Sequence, residues 1–538
     1  MSNAGLLRSS SLMAAGTITS RITGLGKNVA LLAALGSGVL ADTYWVANML
    51  PTVVYTLFIG GAINAVFVPQ LVRHRADDAD HGEAYAQRLI SAVGLALLAL
   101  ATLAVLLAPV VVRLYSAGWS PRQLEIATLF ARLMLPQIFF YGVFTVLSQV
   151  LNTRERFGAP MFAPIVNNLA VIGAAVSFLW VVGTGATTRT ITDGQVAILG
   201  LGTLVGSVLQ ALVLVPVLRK AGFGFRPRFD LKGQGLGKAW SLARWTIGLV
   251  AINQLGTLLV VRLATRANVE APALDAGATV YTNAFTVFML PQSVITVSVV
   301  TALLPRLAQE AHDGRFDIVQ ARLGWALRVT GALILPAAMT LLVLGIPISV
   351  LLFDHGSMTA EGSRQLGLTL AAYSLGLPAF SAYYVLLRGY YALEDTRSPT
   401  INAVLLNAVN VALAYALFAT VPEDLRVPSL GLSYAVAYWV AFAVLALRLR
   451  RKLGGIDGAV VTRTYVRIAV ATAVAGAAMV GAARLFTGGE PVTSSTDAAI
   501  TLAVALLPAV GVFLGAARLM HIDEVRQVTD LVTGRGRG

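Results

Sequence analysis

The sequence predicts an all-α membrane protein that crosses the bilayer many times. Its 538 residues are 57% hydrophobic and only 12% charged, whereas a soluble domain carries roughly twice that charged fraction. The mean hydropathy is +0.76. Runs such as 95–112 and 468–483 contain no charged residue, and a membrane-spanning helix needs about 20 mostly apolar residues.

A set of short landmarks occurs twice in the chain, with offsets of 236 to 242 residues. The paired landmarks are Met49-Leu50-Pro51 with Met289-Leu290-Pro291, Val68-Pro69-Gln70-Leu71 with Leu304-Pro305-Arg306-Leu307, Pro109 with Pro347, Pro136 with Pro378, and Pro160 and Asn168 with Pro399 and Asn407. Each copy keeps the same internal order. Secondary transporters are often built from duplicated, Pro-interrupted bundles that bind substrate between the repeats. The repeat therefore favours a carrier.

Hydropathy, divided at polar breaks, predicts about fourteen transmembrane helices. The predicted segments are 10–36, 43–72, 87–112, 123–151, 159–183, 196–218, 239–264, 276–306, 321–345, 362–393, 399–420, 429–448, 464–486 and 498–518. Alternate connections are rich in Lys and Arg, most clearly the one between segments six and seven, at 219–238. The positive-inside rule then places both termini in the cytoplasm.

Landmarks about 240 residues apart enclose six segments, so the two copies have the same orientation. We expect two six-helix lobes related by a parallel pseudo-two-fold axis along the membrane normal. The predicted organisation is an N-lobe at 1–220, a C-lobe at 221–452, two extra C-terminal helices within 453–520, and a short cytoplasmic tail at 521–538.

The first segment holds the most informative polar residues, within Ser20-Arg21-Ile22-Thr23-Gly24-Leu25-Gly26-Lys27-Asn28. Arg21 lies near the middle of the apolar stretch, where a cation costs about 3 kcal/mol or more, so it should face a wet cavity or a partner. On an ideal helix Asn28 shares the face of Arg21, while Lys27 lies about 120° away. A cavity arginine offers bidentate geometry to a phosphate group. The alternative is that Arg21 and Lys27 form ion pairs that only hold the bundle together.

The second segment opens with Asp42, which suits either a first-turn carboxylate favoured by the helix dipole or an ion-pair gate at the outer mouth. Polar and small residues then mark one route along this segment: Asn48, Tyr55, Gly60, Gly61 and Asn64. Gly60 and Gly61 suit helix packing as well as substrate contact.

Arg262, late in the seventh segment, either snorkels to the outer interface or contributes to the cavity. The prolines at 51, 136, 291 and 378 are expected to break helices inside their segments. Pro51 and Pro291 are the candidate hinges, with a simple packing kink as the alternative.

Composition excludes several kinds of function. The chain has no cysteine and only five histidines, none of them paired at metal-ligand spacing, so no metal or other cofactor is expected. No predicted segment carries paired carboxylates, which argues against an enzyme. The net charge of +14 is interpreted as loop Lys and Arg facing the anionic cytoplasmic leaflet rather than as a nucleic-acid surface.

The chain resembles the MurJ (MviN) family of lipid II flippases, within the multidrug/oligosaccharidyl-lipid/polysaccharide (MOP) exporter superfamily. The resembling motifs are Ser20-Arg21-x-x-Gly24-x-x-Lys27, Asp42-Thr43, Leu50-Pro51, Gly61-Ala62, Phe67-Val68-Pro69, Leu304-Pro305-Arg306-Leu307 and Arg388-Gly389-Tyr390-Tyr391-Ala392-x-x-Asp395-Thr396-Arg397-Ser398-Pro399. The resemblance implies two lobes around a cationic cavity, two extra helices forming a lipid-tail groove, and a bacterial plasma membrane location. It implies alternating-access transport of lipid II, with Arg21 and Lys27 at the pyrophosphate and Asp42 in the outer gate.

The chain departs from the family pattern at several cationic positions. Tyr55 and Thr56 stand where relatives often carry arginines, Thr286 and Met289 replace an arginine and an acidic residue, and Lys27 replaces an arginine. The cavity is therefore less basic. Alternative functions are transport of another prenyl-linked saccharide, small-molecule export, or a non-transporting scaffold for cell-wall or division proteins.

Overall fold

The computed structural model describes residues 3–59, 82–154, 156–228 and 236–532, and throughout these ranges the regular structure is helical. The α-helices are α1 (Asn3–Leu35), α2 (Val39–Ile59), α3 (Glu83–Leu106), α4 (Ala108–Tyr115), α5 (Pro121–Met134), α6 (Gln137–Thr153), α7 (Gly158–Val182), α8 (Asp193–Leu212), α9 (Leu214–Lys220), α10 (Leu236–Glu270), α11 (Ala278–His312), α12 (Phe316–Phe353), α13 (Ala360–Ser374), α14 (Leu377–Ala392), α15 (Arg397–Thr420), α16 (Arg426–Leu453), α17 (Gly458–Thr487), α18 (Ser495–Leu519) and α19 (Asp523–Val532). The prediction of an all-α fold is confirmed.

Eleven helical stretches in the described part of the chain are long and apolar enough to cross a membrane, or twelve if α13 and α14, bent by 48°, form one span. The prediction of a multi-pass membrane protein is confirmed. Helices α1 and α2 match the first two predicted segments in position but are not among those stretches. The number fourteen therefore stays a prediction. Gly60, Gly61, Asn64 and the landmark at 68–71 lie outside the described residues.

Helix breaks recur at equivalent landmarks of the two copies. Helix α3 ends just before Pro109, and α12 has a non-helical residue, Leu344, just before Pro347. Pro136 separates α5 from α6, and Pro378 lies in the first turn of α14, after the bend that follows α13. A proline lacks the N–H for the helical hydrogen bond and clashes with the carbonyl four residues earlier, which favours a break there. These paired breaks support the predicted duplication.

The expectation that Pro51 and Pro291 break their helices is wrong. Both lie inside uninterrupted helices, Pro51 in α2 and Pro291 in α11. A membrane helix tolerates an internal proline when neighbouring groups or small local adjustments satisfy the freed carbonyl. Their role as hinges is a separate matter and stays a prediction.

The described chain forms two compact units. Unit 1 comprises residues 1–269 with 355–358, and unit 2 comprises residues 270–354 with 359–538. In unit 1, α7 packs between α1 and α8, while α2 packs on α5, and α3 on α6. Helices α1 and α2 carry the sequence-predicted site residues except Arg262, which lies on α10, and Pro291, which lies on α11.

Unit 2 has its own hydrophobic core. Leu323 of α12, Leu386 of α14 and Leu445 of α16 are fully buried in one cluster. Helices α17 and α18 pack on each other and on α12. The described part of the predicted tail is helix α19, which is held by an ion pair between Arg328 Nε and Glu524 Oε1 at 2.7 Å.

Candidate functional site

The middle of α1, residues 20–28, is called the α1 cationic segment. One side of this segment is fixed to α7 by Asn168, whose Nδ2 donates to the Ser20 carbonyl at 3.1 Å and to Thr23 Oγ1 at 3.0 Å. Gly24 lies beside the same amide. Small residues and an interhelical amide bond are how membrane helices hold each other closely. The side of α1 that faces α7 is therefore structural.

Arg21 lies on another side of the segment and is exposed. None of the carboxylates that the structure describes pairs with its guanidinium. The alternative that Arg21 serves only as an internal ion pair thus has no carboxylate partner among the described residues, and both roles stay predictions. If Arg21 lies within the membrane, as the sequence predicts, a cation with no carboxylate partner in the described chain needs water or an anionic ligand.

Lys27 and Asn28 follow at the C-terminal end of the segment. Helix α1 continues through Gly24 and Gly26 without interruption, so Lys27 stays about 120° from Arg21 around the axis. Lys27 is partly buried, and Asn28 is only 5% exposed. On this face of α1, the side chains thus change from exposed at Arg21 to buried at Asn28, about 10 Å further along the helix.

The C-terminal end of α1 is capped by the four-residue segment 355–358, which belongs to unit 1. The Ser357 N–H donates to the Ala33 carbonyl at 2.7 Å, and Ser357 Oγ donates to the Ala34 carbonyl at 3.1 Å. These carbonyls have no partner further along a helix that ends here. Gly36, at φ +70°, lets the chain turn, and a Cβ there would lie 2.6 Å from the Ser357 carbonyl oxygen.

Asp42 lies in the first turn of α2 and is fully buried. Its Oδ2 accepts a hydrogen bond from Asn268 Nδ2 at 2.9 Å, and the same amide donates to the Ser37 carbonyl at 3.1 Å. The carboxylate thus joins the start of α2 to the end of α10. This position suits the first-turn role, and the gate role stays a prediction.

The polar residues of α2 are oriented differently from one another. Tyr55 is hydrogen-bonded to Thr145 of α6, with 2.5 Å between the two hydroxyl oxygens. Tyr44, nearer the start of the helix, bonds to Thr203 of α8 at 2.8 Å. Asn48 lies between these two tyrosines and is partly exposed. The Tyr55 hydroxyl thus binds α2 to α6.

Arg262 has a structural partner. Its Nη1 donates to the carbonyls of Arg113 at 3.2 Å and Leu114 at 3.0 Å, in the last turn of α4. One turn on, Thr265 Oγ1 donates to the Tyr115 carbonyl at 3.0 Å. A cation at a helix C-terminus is favourable because it satisfies carbonyls that lack helical partners. These bonds favour a structural role for Arg262 over the predicted cavity role.

Asn268 is the site residue that sequence reasoning missed. It follows Arg262 and Thr265 at intervals of three residues, and all three bind the ends of neighbouring helices in unit 1. That spacing on one helix was the available signal. Its partners Ser37 and Asp42 are more than 200 residues away in sequence, so the signal could not reveal them.

The α11 positions that depart from the family pattern lie in an aromatic region. Phe285 and Phe288 of α11 stack on Tyr373, with ring centroids 5.6 and 5.4 Å apart. Thr286 Oγ1 donates to the Thr282 carbonyl of its own helix at 3.0 Å.

Within the described ranges, no cluster of three or more His, Asp or Glu could hold a metal ion.

Comparison with solved structures identifies the fold. A structure described as lipid II flippase MurJ in an inward closed conformation matches with a TM-score of 0.74 at 20% identity, covering 96% of this chain and 99% of that one. An inward-facing multidrug resistance transporter of the MATE family matches with a TM-score of 0.64 at 15% identity, covering 82% and 96%. The chain therefore has the fold of MOP-superfamily transporters.

Sequence comparison identifies the family. The model of the family described as lipid II flippase MurJ matches residues 31–495. The probable lipid II flippase MurJ of Rhizobium meliloti is 31% identical over 474 residues, which is 86% of this chain and 84% of the relative. The lipid II flippase MurJ of Burkholderia cenocepacia is 28% identical over 449 residues, 81% of this chain and 82% of the relative. The chain belongs to the MurJ family, and the prediction of a transporter rather than an enzyme is confirmed.

Proposed function

We propose that this chain flips lipid II, an undecaprenyl-pyrophosphate carrying the peptidoglycan precursor, from the cytoplasmic to the outer leaflet of the bacterial plasma membrane. Arg21 is the observation that carries this proposal. Its guanidinium is exposed on α1, and no carboxylate in the described chain pairs with it. The relatives named as lipid II flippases support the choice of substrate.

The α1 cationic segment is the proposed pyrophosphate site. Arg21 would form bidentate, charge-assisted hydrogen bonds to phosphate oxygens, which are shorter and stronger than neutral ones. Lys27 would add a second positive charge without sharing the face of Arg21. Asn28 would mark the end of the open path, because it is buried where Arg21 is exposed. Asn48 and Tyr55 of α2 are proposed to contact the sugar–peptide part of the headgroup.

Alternating access would then carry the headgroup across while the prenyl tail stays in lipid. The proposal assigns Asp42 to the outer gate, and Pro51 and Pro291 to bending of α2 and α11. Helices α17 and α18, which pack on each other, would provide the groove along which the tail moves. With both termini in the cytoplasm, the basic 219–228 connection lies on the side where lipid II is made.

Replacement of the resident flippase tests this function. A bacterial strain depleted of its lipid II flippase should grow when this chain is expressed, and lipid II should become accessible to a probe at the outer face. Growth without accessible lipid II would indicate a scaffold. Accessible saccharide of a different prenyl lipid would indicate another polymer. No rescue by protein that reaches the membrane at normal level would contradict the proposal.

A further inference from the structure

A cavity of about 680 Å³ lies within unit 1, among α3, α6, α9 and the loop at 221–228. Apart from the Ser91 hydroxyl and the Arg219 guanidinium, the side chains that line it are aliphatic or aromatic. Leu95 and Leu98 in its wall are 59% and 52% exposed, so the cavity opens to the side of α3. Its volume falls in the range of ligand-binding pockets, roughly 300–1,000 Å³.

A stripe of polar residues on α3 fixes the loop that closes the cavity. Glu83, Gln87 and Ser91 are four residues apart and so share one face of the helix. The Gly224 N–H donates to Glu83 Oε1 at 3.3 Å, and Gln87 Nε2 donates to the Gly224 carbonyl at 2.5 Å. The Arg228 N–H donates to Ser91 Oγ at 3.0 Å. These bonds hold an extended loop along α3, so the cavity is a built site rather than a gap beside a loose segment.

The start of the same loop is fixed from the opposite side by Arg154. Its Nη1 donates to the Ala221 carbonyl at 2.8 Å. Its guanidinium also lies 5.2 Å from the ring centroid of Phe223, at a distance where a cation and an aromatic face attract each other. Phe223 is 3% exposed and lines the cavity.

The charge at the cavity mouth is strongly positive. Arg219 lines the cavity, and Lys220, Arg226 and Arg228 follow within the next nine residues. All four side chains are exposed. The nearby Glu83 carboxylate already accepts hydrogen bonds from Gly224 and Gln87. An apolar cavity beside exposed guanidinium groups fits a ligand with a hydrocarbon chain and an anionic head.

We propose that this cavity binds one acyl chain of an anionic glycerophospholipid, with the lipid phosphate on Arg219. A phospholipid is favoured because the cavity opens sideways past the exposed Leu95 and Leu98 of α3, a helix long and apolar enough to cross a membrane. The predicted orientation also places the basic loop at the cytoplasmic leaflet, whose anionic lipids it would attract. The site uses none of the residues of the α1 cationic segment. It is therefore a lipid site additional to the transport path.

Two substitutions test the apolar cavity and the positive charge at its mouth independently. Gly94 lines the cavity, and a Cβ there would meet no atom within 4 Å, so Gly94→Phe can fill the space without displacing a helix. Arg219→Gln removes the charge at the mouth. The matched controls are Gly173→Phe, where a Cβ on α7 is equally unhindered, and Arg189→Gln, an exposed arginine between α7 and α8.

Lipid retention by the purified full-length protein tests the proposal by native mass spectrometry. The protein is offered phosphatidylglycerol and phosphatidylcholine in equal amounts. Wild type and both controls should prefer phosphatidylglycerol by roughly tenfold, as a charge-assisted bond allows. Arg219→Gln should lose the preference, and Gly94→Phe should lose the bound lipid, with unchanged melting temperatures.

Three results would overturn this site. One is equal retention of the two phospholipids by wild type. Another is undiminished lipid on Gly94→Phe. The third is crosslinking of a photoreactive undecaprenyl pyrophosphate, rather than of a photoreactive acyl chain, to residues 90–98 or 139–147, which would make the occupant the transported lipid. None of these results depends on whether Arg21 supports transport.

Discussion

The Asn268 carboxamide donates a hydrogen bond to the Asp42 carboxylate across 2.9 Å, and the two residues are 1% and 0% exposed. This bond joins the last turn of α10 to the first turn of α2. Because the same amide also binds the Ser37 carbonyl, it fixes the turn between α1 and α2. The position of the α1 cationic segment relative to α2 therefore depends on a residue in the last turn of α10.

Asn268→Ala should destabilise the protein. It removes two hydrogen bonds and leaves the buried Ser37 carbonyl and Asp42 carboxylate each short of a donor. We expect the free energy of unfolding to fall by about 1–3 kcal/mol, measured by denaturant unfolding in detergent. The matched control is Thr257→Ala, an exposed α10 residue that bonds only to its own helix, which should change stability by less than about 0.5 kcal/mol. Equal effects of the two changes would contradict the role assigned to Asn268.

Arg262→Leu distinguishes the structural role of Arg262 from a cavity role. Loss of its bonds to the Arg113 and Leu114 carbonyls should lower the free energy of unfolding by about 1.5–3 kcal/mol. Transport per folded molecule should stay at the wild-type level, and Arg262→Lys should recover part of the stability. If stability is unchanged while transport is lost, Arg262 belongs to the substrate path.

Gly202→Ala should disrupt the packing of α7 against α8. A Cβ at Gly202 would lie 2.2 Å from the Cβ of Ala174, which cannot move without its helix. We expect destabilisation by about 1–3 kcal/mol, typical of overpacking. Gly173→Ala is the control, because a Cβ there meets nothing within 4 Å and alanine favours a helix by up to about 1 kcal/mol. If Gly202→Ala and Gly173→Ala are equally stable, α7 and α8 are not packed as described.

Asp395 should make stability depend on pH in acid. Burial alone would raise its pKa, but hydrogen bonds from the Lys452 ammonium and from the Ser398 backbone and hydroxyl outweigh burial and lower the pKa to about 2. A carboxylate with a lowered pKa contributes stability above its ordinary value near 3.8, and that contribution is lost as the pH falls through about 2.

The corresponding measurement compares melting temperatures of wild type and Asp395→Asn between pH 7 and pH 3. The variant should melt lower at pH 7, and the difference should stay constant down to about pH 5 and shrink below about pH 4. Glu490→Gln, an exposed loop carboxylate, controls for general acid effects. A difference that grows in acid would mean that Asp395 does not stabilise the fold as a carboxylate.

The sequence predicted helices and their breaks better than it predicted contacts. Hydropathy located the helices because burial in lipid requires an apolar run whatever the tertiary fold. Pro136 and Pro378 marked true breaks because a proline acts locally on its own helix. Pro51 and Pro291 did not interrupt their helices, since whether a helix continues through a proline depends on neighbouring groups that sequence does not reveal.

The sequence predicted which charged residues belong to the candidate site, but it did not predict their partners. Arg21 could be identified because a cation at membrane depth is costly without a function or a partner. The hydrogen bonds of Asp42 with Asn268, and of Arg262 with α4, join residues about 150 to 230 positions apart. Such pairings follow from packing of the whole unit, so the sequence left both a structural and a functional role open for each residue.

Arg21→Ala tests the central claim most directly. In a bacterium depleted of its own flippase, lipid II accessible at the outer face should fall by roughly tenfold or more when wild type is replaced by Arg21→Ala at equal membrane level, because the charge-assisted bonds to pyrophosphate are lost. Arg21→Lys should retain part of the activity, since it keeps the charge but not the bidentate geometry. Outer-leaflet lipid II at the wild-type level with Arg21→Ala would contradict the claim that this guanidinium binds the transported headgroup.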